Sequence, residues 1–166
     1  MISLERLKQV LEYDPVTGVF TRKVSLSSRA QAGAVAGSLD TSHGYYSVGI
    51  DGREYYAHRL AWFYFYGAWP EHHIDHIDRN RAFNAIHNLR AASQLQNNQN
   101  QTLKSSNTSG VKGVTWHKKA GKWMAQIREP NGKHRYLGLF VELECAKAAY
   151  QTASAAYHAE FSCPQG

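Results

Sequence analysis

Two short strand-like runs, separated by a polar loop and followed by a helix signal, constrain the fold of this chain more than any other feature. Ile74–Ile77 and Leu89–Ala92 each have the length and composition of a strand, and residues 78–84 between them are mostly polar. Ser93 is a favourable helix N-cap, and a helix is predicted from there to about Gln101. The pattern predicts a strand–loop–strand–helix unit and an α+β fold.

A second local signal lies directly upstream. Asp51-Gly52 stands between two strand-like runs, Tyr45–Ile50 and Arg53–His58, and is typical of a two-residue hairpin turn. The aromatic segment Arg59–Tyr66 is predicted to be a helix that ends at Gly67. Its aromatic rings could stack on nucleic-acid bases, but packing in a core is the preferred interpretation.

The remaining segments suggest how the chain divides. A short helix near Leu4–Leu11 and a strand at Val19–Val24 precede a loop rich in small residues. After a small polar stretch, three strand-like runs and one helix form a second α+β unit, at Val111–His117, Lys122–Arg128, His134–Phe140 and Leu143–His158. The predicted divisions are an N-terminal extension (1–43), a central domain (44–102), a linker (103–110) and a C-terminal domain (111–162).

Charge is distributed unevenly along the chain. The net charge is +6 and the sequence pI is near 9.4. Residues 1–100 contain ten Lys/Arg against nine Asp/Glu, whereas residues 101–166 contain nine against four. A basic C-terminal segment predicts a polyanionic partner such as nucleic acid. The sequence shows neither a membrane-length apolar run nor a secretory signal, so a cytoplasmic location is expected.

The residues best suited to chemistry cluster in the first strand of the strand–loop–strand–helix unit. Asp75 offers a carboxylate oxygen and Asn97 an amide oxygen, which are ligands that Mg²⁺ accepts. His76 is a proton acceptor suited to neutral pH. Because neighbouring side chains of a strand point to opposite sides, Asp75 and His76 can address opposite sides of a phosphate. In-line hydrolysis requires this arrangement.

This set of residues closely resembles the HNH nuclease family. Asp75-His76 is followed by Asn88 twelve positions after the histidine and by Asn97 nine positions further on, and the flanking segments 58–62 and 88–90 also fit. The resemblance implies a ββα-metal fold in which Asp75 and Asn97 bind one divalent ion, Mg²⁺ with Mn²⁺ as a substitute. His76 is then the general base, and Asn88 holds the loop that orients it. Asn97 at the third signature position makes this an HNN variant.

The same resemblance implies an activity. An HNH enzyme hydrolyses phosphodiester bonds of double-stranded DNA and leaves a 5′-phosphate and a 3′-hydroxyl. A mobile, homing-type endonuclease of a phage, acting in the cytoplasm of its host, is the role that the family suggests. One active site cuts one strand per binding event, so a monomer is expected to nick and a dimer could cut both strands.

The C-terminal segment combines basic and aromatic residues along its predicted strands, a composition suited to a sheet laid against DNA. Residues 107–161 resemble the AP2 DNA-binding domain, whose three-stranded sheet enters the major groove. The matching segments include 113–116, 122–127, 136–140 and 146–149. By this resemblance the candidate DNA contacts are Trp116, Lys118, Arg128 and Arg135, whereas Trp123, Leu137 and Phe140 are expected in the core.

Two other interpretations stay open at this point. The chain could be a DNA-binding regulator without catalysis, although Asp75, His76 and Asn97 are all present. A histidine-rich structural zinc site is the weaker option, built from His58, His72, His73 and His76 without a neighbouring cysteine. No feature of the sequence indicates an obligate protein partner.

Overall fold

A computed structural model of the chain describes residues 1–101, 103, 106–158 and 161. The chain forms two compact units, Met1–Ala92 and Ser93 onward. Both combine helices with small antiparallel sheets, as the α+β prediction requires. Within the described residues, no helix is both long and apolar enough to cross a membrane.

The first unit contains two α-helices, one turn of 3-10 helix (Ile86–Asn88) before its last strand, and three small antiparallel sheets. The sheets pair β1 with β2, order the next three strands β3-β4-β5, and pair β6 with β7. In chain order the elements are α1 (Leu4–Val10), β1 (Leu11–Tyr13), β2 (Phe20–Arg22), β3 (Ser38–Asp40), β4 (Tyr45–Ile50), β5 (Arg53–Tyr56), α2 (Ala57–Tyr66), β6 (His73–His76) and β7 (Leu89–Ala92).

The turn and cap signals read from the sequence are confirmed. Asp51 and Gly52 have φ angles of 50° and 75°, the left-handed conformations that the predicted two-residue hairpin turn requires. Gly67 ends α2 at φ 76°, and its N–H donates to the carbonyl of Phe63. Phe63 is buried and its neighbours Trp62 and Tyr64 pack against the core, as expected, although Phe65 and Tyr66 stay exposed.

The predicted boundary at residue 43 does not separate two bodies. Leu7, Leu11 and Phe20 from the N-terminal segment share one core with residues of α2, β4, β6 and β7, and all three are at most 2% exposed. In addition, β3 pairs with β4, so one sheet contains strands from both sides of that boundary. The short strands at 11–13 and 38–40 carry too little periodicity to be recognised in the sequence. They form because neighbouring strands supply their hydrogen bonds.

The second unit is a three-stranded sheet with a long helix packed on one side. Its elements are α3 (Gln94–Asn100), β8 (Val114–His117), β9 (Lys122–Arg128), β10 (His134–Phe140) and α4 (Leu143–His158), with sheet order β10-β9-β8. Ser93 caps α3 through a capping box with Gln96. The helix α3, expected as the last element of the central domain, therefore begins the second compact unit.

The polar stretch predicted to be a linker contains a hydrogen-bonded turn. Residues 104 and 105 lie outside the described residues, whereas Asn107–Val111 form a hydrogen-bonded turn before β8. The Ser109 hydroxyl is buried, 2.7 Å from the carbonyl oxygen of Val114 and 2.9 Å from that of Val111. Small polar side chains bond readily to nearby backbone, so a linker-like composition here produces a structured turn.

Gly113 provides a test of the packing between the sheet and α4. It has φ 72°, and a Cβ there would overlap the Tyr150 ring of α4. Gly113→Ala should lower the free energy of unfolding by about 2–4 kcal/mol, because left-handed backbone strain adds to a steric clash. Gly121→Ala is the matched control, since Gly121 has φ 60° with no atom within 4 Å of its Cβ position. Urea unfolding that gave equal losses for both variants would contradict the predicted clash.

Candidate active site and nucleic-acid interface

The pairing of β6 with β7 places the candidate carboxylate. Asp75 lies opposite Arg90 in the antiparallel register, and His76 lies opposite Leu89. The Asp75 Oδ2 atom accepts hydrogen bonds from Arg90 Nε at 2.9 Å and from Arg90 Nη2 at 2.8 Å. Both side chains are largely buried, at 6% and 14% exposure. A buried carboxylate is stable when such a charge-assisted pair compensates for its lost hydration.

The next residue, His76, is buried and bonded to a different element. Its Nε2 lies 3.1 Å from Asn84 Oδ1. The Asn84 amide is oriented by its own Nδ2, which donates to the Ala82 carbonyl oxygen at 3.1 Å. An amide oxygen has no hydrogen to donate, so His76 Nε2 carries the hydrogen in this bond. The neutral ring therefore has its lone pair on Nδ1, the atom suited to accept a proton.

Asn88 closes the loop between the two strands. Its Oδ1 accepts from the backbone N–H of Asp78, and its Nδ2 donates to Asp78 Oδ1 and to the Phe83 carbonyl oxygen, both at 2.8 Å. Arg79 in the same loop has a φ of 67°, a conformation that non-glycine residues rarely adopt. The loop that contains Asn84 is therefore held from within by the buried side chain of Asn88.

A wall of aromatic rings lies beside His76. The ring centroid of His58 is 5.3 Å from that of His76, and Tyr45 is 5.1 Å from His58. Burial lowers the pKa of His58 to about 3, with further contributions from the charges of His76 and Arg59. Burial also lowers the pKa of His76, against smaller raising effects of the Asn84 hydrogen bond and the charges of Asp78 and Asp75. Both imidazoles are thus neutral near pH 7.

Arg81 adds a positive charge to this wall. Its guanidinium carbon lies 4.9 Å from the ring centroid of Tyr45, and its Nη1 donates to the His43 carbonyl oxygen at 2.9 Å. The charge of Arg81 also lowers the pKa of His76. A cation held over an aromatic face beside the candidate base is well suited to attract a phosphate.

The donor chemistry at Asp75 fits a hard divalent cation. Its carboxylate oxygens are hard ligands of the kind that such a cation prefers. Among the described residues, no group of three or more His, Cys, Asp or Glu side chains converges on a possible metal site. One carboxylate with solvent or phosphate oxygens suits Mg²⁺. Asn97, the second ligand expected from the sequence, lies on α3 in the second unit, and its role stays a prediction.

The zinc interpretation is not supported by the positions of its four histidines. All four belong to the described part of the chain, and no three of them gather into a metal-binding group. His72 and His73 are exposed, whereas His58 and His76 are buried against each other. The ring contact of His58 with His76 is aromatic packing, without the tetrahedral ligand set that structural zinc requires.

The C-terminal sheet presents two different faces. Val114, Ala125 and Ile127 are nearly fully buried against α4 and define the inner face. Successive residues of a strand alternate between faces, so the register places a second set of side chains on the face away from α4. The exposed members of this outer face include Thr115, Lys122, Arg128, His134 and Tyr136.

The four DNA-contact candidates from the sequence do not share one face. Trp116 is the cross-strand partner of Trp123 on the inner side of the sheet, and it is 46% exposed. Arg135 also lies on the inner side, because its Nη1 donates to the Tyr157 hydroxyl of α4 at 2.6 Å. Arg128 lies on the outer face, and Lys118 lies in the exposed turn after β8. The expected core residues Trp123, Leu137 and Phe140 do pack against the inner core, which confirms that prediction.

Sequence reasoning missed three residues of the site. Asn84 was recognised as part of a polar stretch, but nothing distinguished it from neighbouring asparagines as the partner of His76. His58 was considered for zinc rather than as a neutral neighbour of His76. Arg90 could have been found, since pairing Ile74–Ile77 with Leu89–Ala92 as a hairpin brings it opposite Asp75.

Comparison with known proteins finds a similarity in the central part of the chain. Residues 55–99 match the family model described as HNH endonuclease. This segment includes Asp75, His76, Asn84 and Asn88.

Two further similarities are found. Over 65 residues the chain is 37% identical to "Protein 3.8" of Escherichia phage T7, and the matched region covers 39% of this chain and 54% of that protein. The chain thus spans about half the length of this relative. A solved structure described as "DNA binding and cleavage by the HNH homing endonuclease I-HmuI" aligns with 20% identity and a TM-score of 0.47, covering 87% of this chain and 79% of that chain.

The buried His58 predicts a specific pH dependence of stability. The folded state keeps its imidazole neutral down to about pH 3, whereas in the unfolded chain it takes up a proton near pH 6.5. The neutral His58 therefore contributes fully to the free energy of unfolding above pH 6.5, and this contribution is lost as the pH falls toward 3. The free energy of unfolding changes by up to about 1.4 kcal/mol per pH unit in this range. His58→Phe should flatten the slope of unfolding free energy against pH, whereas His72→Phe at an exposed position should not. Parallel slopes in all three proteins would refute the assignment.

Proposed function

We propose that this chain is a metal-dependent DNA endonuclease that hydrolyses phosphodiester bonds. The observation that carries the proposal is the buried pair of neighbours on β6, a carboxylate held by Arg90 and a neutral imidazole held by Asn84. The two side chains use different partners, as opposite orientations along a strand require. The match of residues 55–99 to the HNH endonuclease model supports the same assignment.

His76 acts as the general base. The Nε2–H bond to Asn84 selects the tautomer with its lone pair on Nδ1, so that Nδ1 takes the proton from the attacking water. Its pKa is lowered mainly by burial, which keeps the ring neutral and able to accept a proton at neutral pH. Asn88 holds the loop of Asn84 and in this way maintains the orientation of the imidazole.

Asp75 would hold the divalent ion, with Arg90 fixing the position of its carboxylate. Asn97 would supply a second oxygen, as the sequence pattern predicts. A bound ion would supply stabilisation of the negative charge that develops during hydrolysis. The expected products are a 5′-phosphate and a 3′-hydroxyl, with Mg²⁺ as the ion and Mn²⁺ as a substitute. A homing role in a phage stays a prediction from the family resemblance.

The C-terminal sheet binds duplex DNA with its outer face. The segment after residue 100 carries nine Lys/Arg against four Asp/Glu, which favours association with a polyanion. Lys122, Arg128 and Tyr136 lie on the outer face, where cations can meet phosphates and the aromatic ring can contact sugar or base. An AP2-like sheet laid in the major groove is the arrangement proposed here. Arg135 lies on the inner side of the sheet, where it donates to Tyr157 and Glu129, so it is not placed among these contacts.

The nuclease proposal predicts the behaviour of three variants. Wild-type protein should convert supercoiled plasmid or its own genomic DNA to cut forms with Mg²⁺ or Mn²⁺, and EDTA should abolish the reaction. His76→Ala and Asp75→Asn should each lower the cleavage rate by about 10²-fold or more while DNA affinity changes little. His73→Ala, an exposed histidine on the same strand, is the control and should retain activity.

The alternative of a non-catalytic regulator makes the opposite prediction. Such a protein would bind DNA and leave it uncut with every divalent metal, and His76→Ala would behave like the wild type. That result on both plasmid and genomic DNA would overturn the nuclease proposal.

The outer-face proposal predicts a contrast between two arginines. Arg128→Ala should weaken DNA binding and lower the slope of log affinity against log salt by about 1, because one phosphate contact is lost. Arg135→Ala removes the same charge from the inner side and should leave that slope nearly unchanged. Fluorescence anisotropy at several salt concentrations measures both values. A larger loss for Arg135→Ala would indicate that DNA binds elsewhere on this unit.

A further inference from the structure

A turn from the N-terminal segment touches the loop that orients His76. The Tyr13 hydroxyl donates a hydrogen bond of 2.7 Å to the backbone carbonyl oxygen of Asn84, and this bond is buried. Two residues later, the Pro15 carbonyl oxygen accepts from the backbone N–H of Ile86 at 3.0 Å. Both contacts join positions about seventy residues apart in the chain. Neither Tyr13 nor Pro15 lies in the segment that matches the HNH endonuclease model.

Gly18 makes the third contact of this turn. It has φ 75°, and a Cβ at this position would overlap the backbone of Asn84 and Ala85. The loop backbone therefore rests directly on the glycine, at a distance that no other residue type allows. The hydrogen bond of Tyr13 and the steric contact of Gly18 reach the same residue, Asn84, through two different physical interactions.

The turn is itself rigid enough to act as a support. The Asp14 carboxylate accepts from the Thr17 hydroxyl at 2.7 Å and from the Val16 backbone N–H at 2.9 Å. The Gly18 N–H donates to the Asp14 carbonyl oxygen at 2.8 Å. On either side of the turn, β1 and β2 contribute Leu11 and Phe20 to the core. A turn closed by its own side chain and anchored at both ends holds its position well.

The chemistry of Tyr13 supports a lasting hydrogen bond. Its side chain is 6% exposed and packs against Phe20, with ring centroids 4.7 Å apart. Burial raises the pKa of its hydroxyl, so the group is protonated and able to donate at neutral pH. A buried carbonyl such as that of Asn84 requires a donor, and Tyr13 supplies it.

We infer that Tyr13 and Gly18 are positioning residues for the reaction, because they fix the backbone of Asn84 and so orient the His76 ring. This inference rests on the proposed nuclease function. The segment that matches the HNH endonuclease model therefore depends, for the orientation of its general base, on a turn that precedes the match in the chain. The contacts run from Tyr13 and Gly18 to the Asn84 backbone, and from the Asn84 side chain to His76 Nε2.

A double-mutant cycle on cleavage tests the inference. Tyr13→Phe should lower kcat by about tenfold to a hundredfold with KM and DNA affinity little changed, since a small displacement of a catalytic group has effects of this size. Asn84→Ala should lower kcat at least as much. In the Asn84→Ala background, Tyr13→Phe should have no further effect, because the link to His76 is already lost. Independent, multiplying effects of the two changes would overturn the inference.

Matched controls separate positioning from general stability. The Tyr64 ring belongs to the same aromatic cluster, with its centroid 5.6 Å from that of Tyr13. Tyr64→Phe removes its hydroxyl and should leave kcat unchanged. Gly18→Ala should lower kcat, whereas Gly33→Ala, at φ 83° with no atom within 4 Å of its Cβ position, should not. Equal kcat for Gly18→Ala and Gly33→Ala would count against the inference even if Tyr13→Phe failed to fold.

A spectroscopic readout keeps the inference testable without cleavage. Nitrogen-15 NMR of the His76 ring, at a pH where imidazole is neutral, should show the Nε2–H tautomer in the wild type. In Tyr13→Phe and Gly18→Ala the share of this tautomer should fall, whereas Tyr64→Phe and Gly33→Ala should keep it. An unchanged tautomer in the first two variants would overturn the positioning role. Absence of cleavage by the wild type would instead overturn the proposed function, and the tautomer measurement would still decide this inference.

Discussion

The antiparallel register between β6 and β7 is the constraint on which the candidate site depends. It sets Asp75 across from Arg90, so that a buried carboxylate meets a guanidinium rather than an apolar neighbour. It also fixes the span of the loop between the strands, within which Asn88 bonds back to Asp78 and Phe83. A shift of one residue would exchange the two faces of the strand and separate these partners.

Three sets of contacts around this hairpin orient the imidazole ring of His76. The Asn84 side chain bonds to His76, the Asn88 side chain closes the loop, and the Tyr13–Gly18 turn supports the loop from outside. The buried ring of His58 completes the wall next to His76 and stays uncharged because burial opposes its protonation. If His76 is the general base that we propose, an imidazole with this many fixed neighbours is oriented before a substrate binds, which lowers the entropic cost of the reaction.

In the C-terminal unit, the alternation of side chains along the strands places two similar residues on opposite faces of one sheet. Arg128 and Arg135 are both exposed and both sit on the same pair of strands. The register nevertheless directs Arg135 to Tyr157 of α4 and Arg128 to the opposite face. Composition alone suggested a single basic surface, whereas the sheet geometry directs one arginine to the side of α4 and the other to the proposed DNA-binding face.

The sequence by itself determined the local elements and the chemical groups. The Asp51-Gly52 turn, the Gly67 cap, the strands of the C-terminal sheet and α4 all follow from short-range patterns, and Asp75 and His76 were recognised by residue type and spacing. Tertiary structure alone decided that residues 1–43 share the core of the first unit, that Asn84 is the partner of His76, and that Trp116 and Arg135 lie on the inner side of their sheet. The physical reason is that local patterns reflect interactions between near neighbours, whereas these contacts join side chains brought together by strand register and core packing.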